Sequence, residues 1–398
     1  MLREIFELQN PWRFRRGYLF DFKTRKILPE LIKNLSNKKI IGIVGSRQVG
    51  KSSLIYLVID HLIRFGIKKE YIFYFNLDDL KLHELFQNIA EFVHFVGKDI
   101  ETKYIFIDEI QRLTNPGLFL KELYDLNLNL KIFYSGSSQL EIRSKLKEHL
   151  VGRARQFELQ RLSFEEYLNF RKPITKRDAL NDCLIYGTYP GVVQEENINE
   201  RKLSIKDIYQ SYIEKDVVDF LKISNIPAFN KLLVLLSNQN SKLLNINSFS
   251  KALKITRKEV EKYIAVLEHT FVIKLIYPFF KNYKKEITKT PKIYFLDLGL
   301  RNFIINNFND VDLRNDVGEL FENFYFLELL NKDVYGFNKI NFWRTTNQTE
   351  IDFIITEPEQ VKAVEVKFQR TSLPKSFQTI KRYYPEIKTS LVTQNDFV

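Results

Sequence analysis

One eight-residue segment decides the fold of this chain: Gly45-Ser46-Arg47-Gln48-Val49-Gly50-Lys51-Ser52. It fills every fixed position of the phosphate-binding pattern G-x-x-x-x-G-K-[ST]. The apolar run at 39–44 predicts a strand before it, and leucine and valine residues at helical spacing predict a helix after it. A glycine-containing turn in that context presents backbone N–H groups to an anion. The segment therefore predicts a site for a nucleoside triphosphate, with ATP as the expected ligand.

Several residues of this segment have expected roles at the phosphates. Lys51 reaches the outer phosphates, and the Ser52 hydroxyl ligates Mg²⁺. The helix that begins near Lys51 adds the positive end of its dipole. The remaining contacts are expected from the loop and the start of the helix, at Gly45, Gln48, Val49, Gly50 and Ser53.

A second feature is an apolar strand, predicted at 104–107, that runs directly into Asp108 and Glu109. Parallel strands deliver the residues at their carboxyl ends to the edge of the sheet where ligands bind. Asp108 is expected to hold the water shell of Mg²⁺, and Glu109 to orient and polarise the attacking water. Further strands predicted at 71–75 and 131–134 complete an α/β domain with a parallel sheet.

An arginine follows near the end of this domain. Arg153 is the candidate for stabilising negative charge on the transferring phosphate, within the same chain or from a neighbouring copy in a homo-oligomer. The alternative is an ordinary ion pair between Arg153 and a surface carboxylate.

In their order, these segments resemble a prokaryotic group of AAA-type P-loop ATPases. The resemblance rests on 45–52, 106–109, Ser135-Gly136-Ser137-Ser138, Gly152-Arg153 and 162–167, and it continues at 186–191 and 293–300. Members of that group carry a C-terminal domain of unknown function with a PD-(D/E)xK nuclease-like fold. The resemblance implies that Ser137 or Ser138 senses the γ-phosphate. The alternative is a plain strand-to-helix turn with a serine cap.

The net charge of +12 is concentrated in the middle of the chain. Residues 221–292 contain 14 Lys and Arg against 4 Asp and Glu, which predicts a polyanionic partner. A capping box from Thr256 to Glu259 predicts a helix start, after a short serine-capped helix at 248–254 and before a strand at 271–276. This order is that of a winged helix, and the resemblance agrees.

DNA is the expected partner of that region. The predicted contacts come from the second helix and from the wing, at Arg257, Lys258, Lys262, Lys281, Lys284 and Lys285. The alternative is that the winged helix only packs domains together and that its lysines are solvated.

A constellation of charged residues lies near the C-terminus. Asp352 is embedded in a strand predicted at 349–355, and Glu365 and Lys367 share one face of a strand at 364–367. Ionised groups on such a strand are costly in a core unless they serve a site. Asp352 and Glu365 would hold one Mg²⁺, Lys367 would position water or balance charge, and Glu322 would complete the shell from a helix.

This order of residues is that of PD-(D/E)xK nucleases. Glu319 or Glu350 could act where Glu322 or Asp352 is assigned, because Glu350 and Asp352 share a strand face. The fold could also be nuclease-like and inactive, or the acids could be ordinary solvated strand ends.

Length and composition complete the predictions. The chain of 398 residues is expected to form an ATPase domain at 1–160, a helical lid and connector at 161–221, a winged helix at 222–285 and a nuclease-like domain at 286–398. One cysteine and no long apolar run favour a cytoplasmic protein without a membrane span. The five histidines form no His or Cys/His cluster, which predicts no zinc site. The leading function is an ATP-dependent DNA-binding protein with Mg²⁺-dependent nuclease capacity. The alternative is an ATP-driven switch that binds DNA or a protein without cutting; a metabolic kinase is disfavoured by the basic winged helix.

Overall fold

The computed structural model describes residues 2–14, 18, 20–97, 101–137, 149–211, 225–280, 289–369 and 372–398. The chain divides into two compact units, residues 1–160 and residues 161–398. The first unit contains one sheet and the second contains two, and each unit has its own apolar packing.

The first unit is built on a five-stranded parallel sheet. Its strands are β1 (Ile40–Val44), β2 (Ile72–Asn76), β3 (Lys103–Asp108), β4 (Leu130–Gly136) and β5 (Ala154–Glu158), in the spatial order β2-β3-β4-β1-β5. All neighbouring pairs are parallel, so the carboxyl ends of the strands meet at one edge. The first four strands are rich in isoleucine, phenylalanine and tyrosine and are almost wholly buried, as in parallel sheets covered on both faces.

The fifth strand was not predicted, and its sequence explains why. It reads Ala154-Arg155-Gln156-Phe157-Glu158, and Phe157 is its one fully buried residue. β5 is an edge strand and pairs only with β1. Backbone hydrogen bonds to β1 hold it in the sheet, and its sequence lacks the apolar pattern of a central strand.

Six α-helices lie within the described residues of the first unit. They are α1 (Leu2–Gln9), α2 (Pro11–Phe14), α3 (Leu28–Lys33), α4 (Lys51–Arg64), α5 (Ile89–Val96) and α6 (Pro116–Asp125). Helix α4 buries Leu54, Leu57, Val58 and Leu62, the apolar positions that predicted it. On another part of the core, the rings of Phe86 and Phe119 lie 5.1 Å apart, which packs α6 against the segment after β2.

The second unit contains ten described helices and two small sheets. The helices are α7 (Phe164–Arg171), α8 (Lys176–Tyr186), α9 (Pro190–Gln194), α10 (Ile198–Ile208), α11 (Ile226–Asn238), α12 (Ile246–Leu253), α13 (Arg257–His269), α14 (Leu298–Ile304), α15 (Val317–Lys332) and α16 (Ser376–Tyr383). The strands are β6 (Ile273–Ile276), β7 (Lys292–Phe295), β8 (Lys339–Arg344), β9 (Glu350–Thr356), β10 (Val361–Val366) and β11 (Lys388–Val392). Strands β6 and β7 form an antiparallel pair.

The second sheet of this unit has the order β11-β10-β9-β8. Strands β8, β9 and β10 form an antiparallel meander, and β11 pairs with β10 in parallel after α16. Because helix α15 precedes β8, the chain follows the order helix, three strands, helix, strand.

Helices α11, α12 and α13 and the β6–β7 pair share one apolar core. The predicted capping box is confirmed, because Glu259 N donates to Thr256 Oγ1 (3.2 Å) and Thr256 N donates to Glu259 Oε2 (2.9 Å). The predicted serine cap of the preceding helix is wrong: α12 begins at Ile246, and the Asn245 side chain accepts a hydrogen bond from Ser248 N (3.0 Å). An asparagine oxygen reaches the same orphan N–H groups that a serine would.

Helix α14 packs so closely against the end of α8 that it requires a glycine. A Cβ added to Gly299 would lie 2.1 Å from the carbonyl oxygen of Tyr186. Beside this contact, Asp297 accepts hydrogen bonds from Leu300 N (2.8 Å) and from Thr188 N (2.9 Å). The segments 186–191 and 293–300 therefore meet in a backbone-to-backbone joint.

Candidate functional site

The loop that follows β1 has the backbone shape of an anion-binding nest. Gln48 and Gly50 have φ angles of +60° and +94°, in the left-handed region, and α4 starts at the next residue. Gly45 N donates to Gly136 O (3.3 Å), which fixes the start of the loop beside the end of β4. A Cβ on Gly45 would lie 2.5 Å from the carbonyl oxygen of Leu159, so only glycine fits there. The loop therefore turns N–H groups toward the start of α4, as phosphate binding requires.

Lys51 is held against this loop. Its side chain is buried, and its ammonium donates to the carbonyl oxygens of Gly45 (3.1 Å) and Ser46 (2.8 Å). Ser52 and Ser53 follow in the first turn of α4, and Val49 is buried beneath the loop. The ammonium and the first-turn hydroxyls thus lie at the same helix start as the backbone N–H groups.

Asp108 ends β3 at the same edge of the sheet. Its carboxylate is buried and accepts two hydrogen bonds, from Tyr74 OH to Oδ2 (2.8 Å) and from Ser135 Oγ to Oδ1. Burial raises the pKa of Tyr74, and the nearby Asp108 charge raises it further, so Tyr74 remains a donor at neutral pH. Donors from β2 and β4 therefore fix both carboxylate oxygens of Asp108.

Glu109 turns away from the strand in a left-handed conformation, with a φ angle of +56°. Its N–H donates to Ser135 Oγ (3.1 Å), and its carboxylate accepts hydrogen bonds from Gln111 Nε2 and from Ser137 Oγ (3.3 Å). Gln111 Nε2 also donates to Ser137 Oγ (3.0 Å). The predicted sensor Ser137 therefore lies against the predicted water-orienting acid, whereas Ser138 lies outside the described residues.

These groups fit a magnesium nucleotide. The amide nest and Lys51 suit the phosphates, while Ser52 and Asp108 offer the hydroxyl and carboxylate oxygens that Mg²⁺ prefers. Bound Mg²⁺ would neutralise phosphate charge. The sheet order explains the convergence, because β4 lies between β1 and β3 and brings Ser135 and Ser137 between the loop and the acids.

Arg25 is a residue of this site that the sequence did not reveal. Its guanidinium is buried and donates to the carbonyl oxygens of Val49 (2.8 Å) and Gln160 (2.8 Å). It lies before β1 in a stretch without a recognisable pattern, so no local signal marked it.

The structure places Arg153 away from the phosphate-binding loop. It precedes β5, and its carbonyl oxygen accepts a hydrogen bond from Ile40 N (2.9 Å) at the amino end of the sheet. Its guanidinium forms a two-point ion pair with Asp125, at 2.9 and 3.2 Å. The predicted action within the same chain is therefore wrong, because the loop lies at the opposite end of β1. The predicted alternative, a surface ion pair, describes what is seen; action from a neighbouring copy stays a prediction.

We expect Arg153→Ala to leave ATP hydrolysis within about twofold of the unaltered protein, because an exposed ion pair contributes little energy. Phosphate release at low protein concentration measures this, with Lys51→Ala as the inactive reference. A tenfold loss that grows with protein concentration would instead support a role from a neighbouring copy.

The second candidate site is a cluster of carboxylates in the second unit, arranged around a lysine. The Lys292 ammonium lies 3.0 Å from Glu322 Oε1, 2.5 Å from Glu350 Oε1 and 4.0 Å from Asp352 Oδ1. Tyr294 OH donates to the same Glu322 oxygen (2.6 Å). Burial raises the pKa of Glu322 to about 7. Burial by itself would lower the pKa of Lys292, but the surrounding carboxylates raise it above its ordinary value.

Lys367 joins the other members of the cluster. Its ammonium lies 3.0 Å from Asp352 Oδ2 and 2.8 Å from Glu365 Oε2. Val366 N donates to Asp352 Oδ2 (2.8 Å), and Ser376 Oγ donates to Glu365 Oε1. Burial raises the pKa of Glu365, and the neighbouring Asp352 charge raises it further.

The cluster brings together the predicted Glu322, Asp352, Glu365 and Lys367, and it also includes Glu350. Glu319 lies outside it, paired with Lys242 at 3.0 Å. Within the described residues, no group of three His, Cys, Asp or Glu side chains is arranged to hold a metal ion. The expected Mg²⁺ at Asp352 and Glu365 therefore does not fit this arrangement, because ammonium groups lie between the carboxylates.

Of the predicted DNA contacts, Arg257, Lys258 and Lys262 are exposed on α13. Arg257 forms an ion pair with Glu261, one turn along the helix, at 2.8 Å. The predicted wing contacts Lys281, Lys284 and Lys285 lie outside the described residues.

Three family models match successive parts of the chain. Residues 37–168 match the AAA domain, residues 177–311 match a domain of unknown function (DUF8612), and residues 317–396 match another domain of unknown function (DUF4143). The amino-terminal part is thus an AAA-type P-loop ATPase domain, and DUF4143 forms the C-terminal domain.

Curated relatives cover almost the whole chain. An uncharacterized protein of Methanocaldococcus jannaschii is 26% identical over 94% of this chain and 86% of its own length. An uncharacterized protein of Haemophilus influenzae is 26% identical over 86% of each chain.

Solved structures resemble the chain more distantly. A Walker-type ATPase of Pyrococcus abyssi is 14% identical, with a TM-score of 0.48 over 73% of this chain and 97% of its own. The Aeropyrum pernix ORC2 protein in its ADP form is 11% identical, with a TM-score of 0.41 over 75% and 97%. None of the helices in the described ranges combines the length and the apolar composition that a membrane span requires.

Proposed function

We propose that this chain is an ATP-hydrolysing switch that binds DNA and does not cut it. The observation that carries the proposal is the convergence at one sheet edge of the amide nest, Lys51, Asp108 and Glu109. In this arrangement Lys51 binds the outer phosphates, Asp108 holds the Mg²⁺ that accompanies ATP, and Glu109 orients water with its carboxylate aligned by Gln111.

DNA binding is supported by the arrangement of the basic middle of the chain. Helices α11–α13 followed by the β6–β7 pair have the order of a winged helix. Lys258 and Lys262 are one turn apart on α13 and both are exposed, as are Lys251 and Lys254 on and after α12. Lys292 does not contribute to this surface, since it is buried among carboxylates.

The salt dependence of DNA binding tests this surface. We expect Lys258→Ala combined with Lys262→Ala to reduce the log–log salt slope by about 1.8, because each phosphate contact contributes about 0.9. Titration of labelled duplex DNA at several salt concentrations measures the slope. The matched control is Lys381→Ala with Lys388→Ala, two exposed lysines outside this region. Equal slopes in the two double variants would remove the support for α13 as a DNA contact.

A switch also requires that nucleotide and DNA affect each other. By linkage, ATP must change DNA affinity by the same factor as DNA changes ATP affinity. Titrations with ATP, ADP and no nucleotide, in a Glu109→Gln background that holds ATP, measure this factor. Identical DNA affinity in all three states would contradict a switch.

The acid cluster is the ground for proposing that DNA is not cut. The order α15, β8, β9, β10, α16, β11 supports a nuclease-like fold, and Lys367 contacts both Asp352 and Glu365. The Lys292 ammonium nevertheless lies 3.0 Å from Glu322 and 4.0 Å from Asp352, two of the residues predicted to surround the metal. We expect no cleavage of duplex, branched or single-stranded DNA with Mg²⁺ or Mn²⁺. Cleavage that disappears in a Glu365→Ala, Lys367→Ala double variant would establish the nuclease alternative.

A further inference from the structure

The side chain of Lys292 is almost entirely shielded from solvent. It starts β7, where its backbone pairs with Ile276 of β6, and only 3% of its side chain is exposed. The ammonium also lies 5.6 Å from the centre of the Phe342 ring, which covers it from β8. A lysine this deeply buried is retained only when fixed anions compensate its lost hydration.

Those anions come from two elements that lie far apart in sequence. Glu322 projects from α15, while Glu350 and Asp352 project from the same face of β9. One ammonium hydrogen-bonds to the first two and lies within 4.0 Å of the third. The carboxylates that a divalent metal would need are therefore already neutralised by a side chain of the protein.

Two further basic side chains neutralise the carboxylates of this cluster, so the site attracts a metal ion only weakly. Lys367 neutralises Asp352 and Glu365, and Arg344 adds a contact to Glu350 Oε2 at 3.3 Å. A divalent ion added among these groups would lie beside the buried Lys292 ammonium and the partly exposed Lys367 ammonium, and like charges at such short range repel.

We propose that Lys292 is a resident counter-ion that takes the place of a divalent metal, so that replacing it with an uncharged side chain creates a divalent-cation site from Glu322, Glu350 and Asp352. The ammonium supplies positive charge beside three carboxylates, and it lowers the pKa of Glu322, which burial raises. Without it, the three side chains can move together around Mg²⁺ or Mn²⁺, which select carboxylate oxygens as ligands.

The inference concerns the cluster that the proposed function leaves non-catalytic. Its test reads metal binding, in nucleotide-free protein and without DNA. If the expected metal binding is not found, the proposals of ATP hydrolysis and DNA binding still stand. If either of those two proposals fails, the metal-binding test is unaffected.

The experiment compares Mn²⁺ binding by the full chain and by Lys292→Met, which keeps most of the side-chain length and removes the charge. Lys289→Met is the matched control, because Lys289 is exposed and lies three positions earlier. Calorimetry and the electron paramagnetic resonance of Mn²⁺ are expected to show one additional site in Lys292→Met only. Adding Asp352→Asn to that variant should weaken the additional site at least tenfold.

Folding is monitored in the same samples. If Lys292→Met is unstable in EDTA, the inference expects Mn²⁺ to raise its melting temperature, and Glu322→Gln to restore stability by removing one carboxylate charge. Neither Mn²⁺ nor EDTA should change the melting temperature of the unaltered protein. The inference is overturned if the unaltered protein binds Mn²⁺ at a site that Asp352→Asn removes. It is overturned equally if Lys292→Met gains no site and is rescued by neither Mn²⁺ nor Glu322→Gln.

Discussion

Glu109→Gln is expected to slow ATP hydrolysis at least about a hundredfold while ATP affinity changes by less than about twofold. The carboxylate is fixed by Gln111 and Ser137 and follows directly after Asp108. An amide of the same shape keeps these contacts in part but cannot polarise an attacking water as a carboxylate does. Phosphate release measures turnover, and displacement of a fluorescent nucleotide measures affinity.

The matched control for this variant is Glu122→Gln, an exposed glutamate on α6, which should behave as the unaltered protein. Lys51→Ala is expected to have the complementary effect: it should weaken ATP binding itself, whereas Glu109→Gln should slow only hydrolysis. Turnover of Glu109→Gln within about threefold of the unaltered protein would remove Glu109 from its assigned role.

Gly299→Ala is expected to destabilise the second unit by about 3 kcal/mol, or to prevent its folding. The added methyl group would lie 2.1 Å from the Tyr186 carbonyl oxygen and 2.5 Å from its carbonyl carbon. These are backbone atoms, so no side-chain rotation relieves the contact and α14 would have to move away from α8. The midpoint of urea unfolding, followed by fluorescence, measures the loss.

Gly318→Ala provides the contrast within the same unit. Nothing lies within 4 Å of a Cβ at that position, and Gly318 is in the first turn of α15. Alanine is favoured over glycine inside helices by up to about 1 kcal/mol, so this variant should be neutral or slightly stabilised. Equal unfolding midpoints for the two variants would show that the joint between α8 and α14 tolerates a methyl group.

The nucleotide site was predictable because most of its groups lie in short, contiguous patterns. The loop from Gly45 to Ser52 and the acids at the end of β3 carry their own strand and helix context. Ser135 belongs to the segment 135–138 that carried the resemblance, but its role was not predicted. Its hydroxyl donates a hydrogen bond to Asp108 on the neighbouring strand. Contacts of that kind depend on strand order, with β4 beside β3, which no local pattern encodes.

Lys292 illustrates the opposite case. In sequence it is one of many basic residues between 221 and 292, and it was counted toward a positively charged surface. In the structure it is buried against Glu322, which lies 30 positions away, and Glu350, which is farther still. A count of charges treats all lysines alike. Lys292 is removed from water because β7, which it starts, pairs with β6 and lies beside α15.

Arg25 has a consequence for how the first unit ends. One guanidinium clamps the carbonyl of Val49, inside the nucleotide loop, and the carbonyl of Gln160, the last residue of that unit. The same arginine side chain therefore holds both the last peptide of the unit and the loop that would bind a triphosphate. A displacement of Val49 would therefore act on the Gln160 carbonyl through the Arg25 guanidinium.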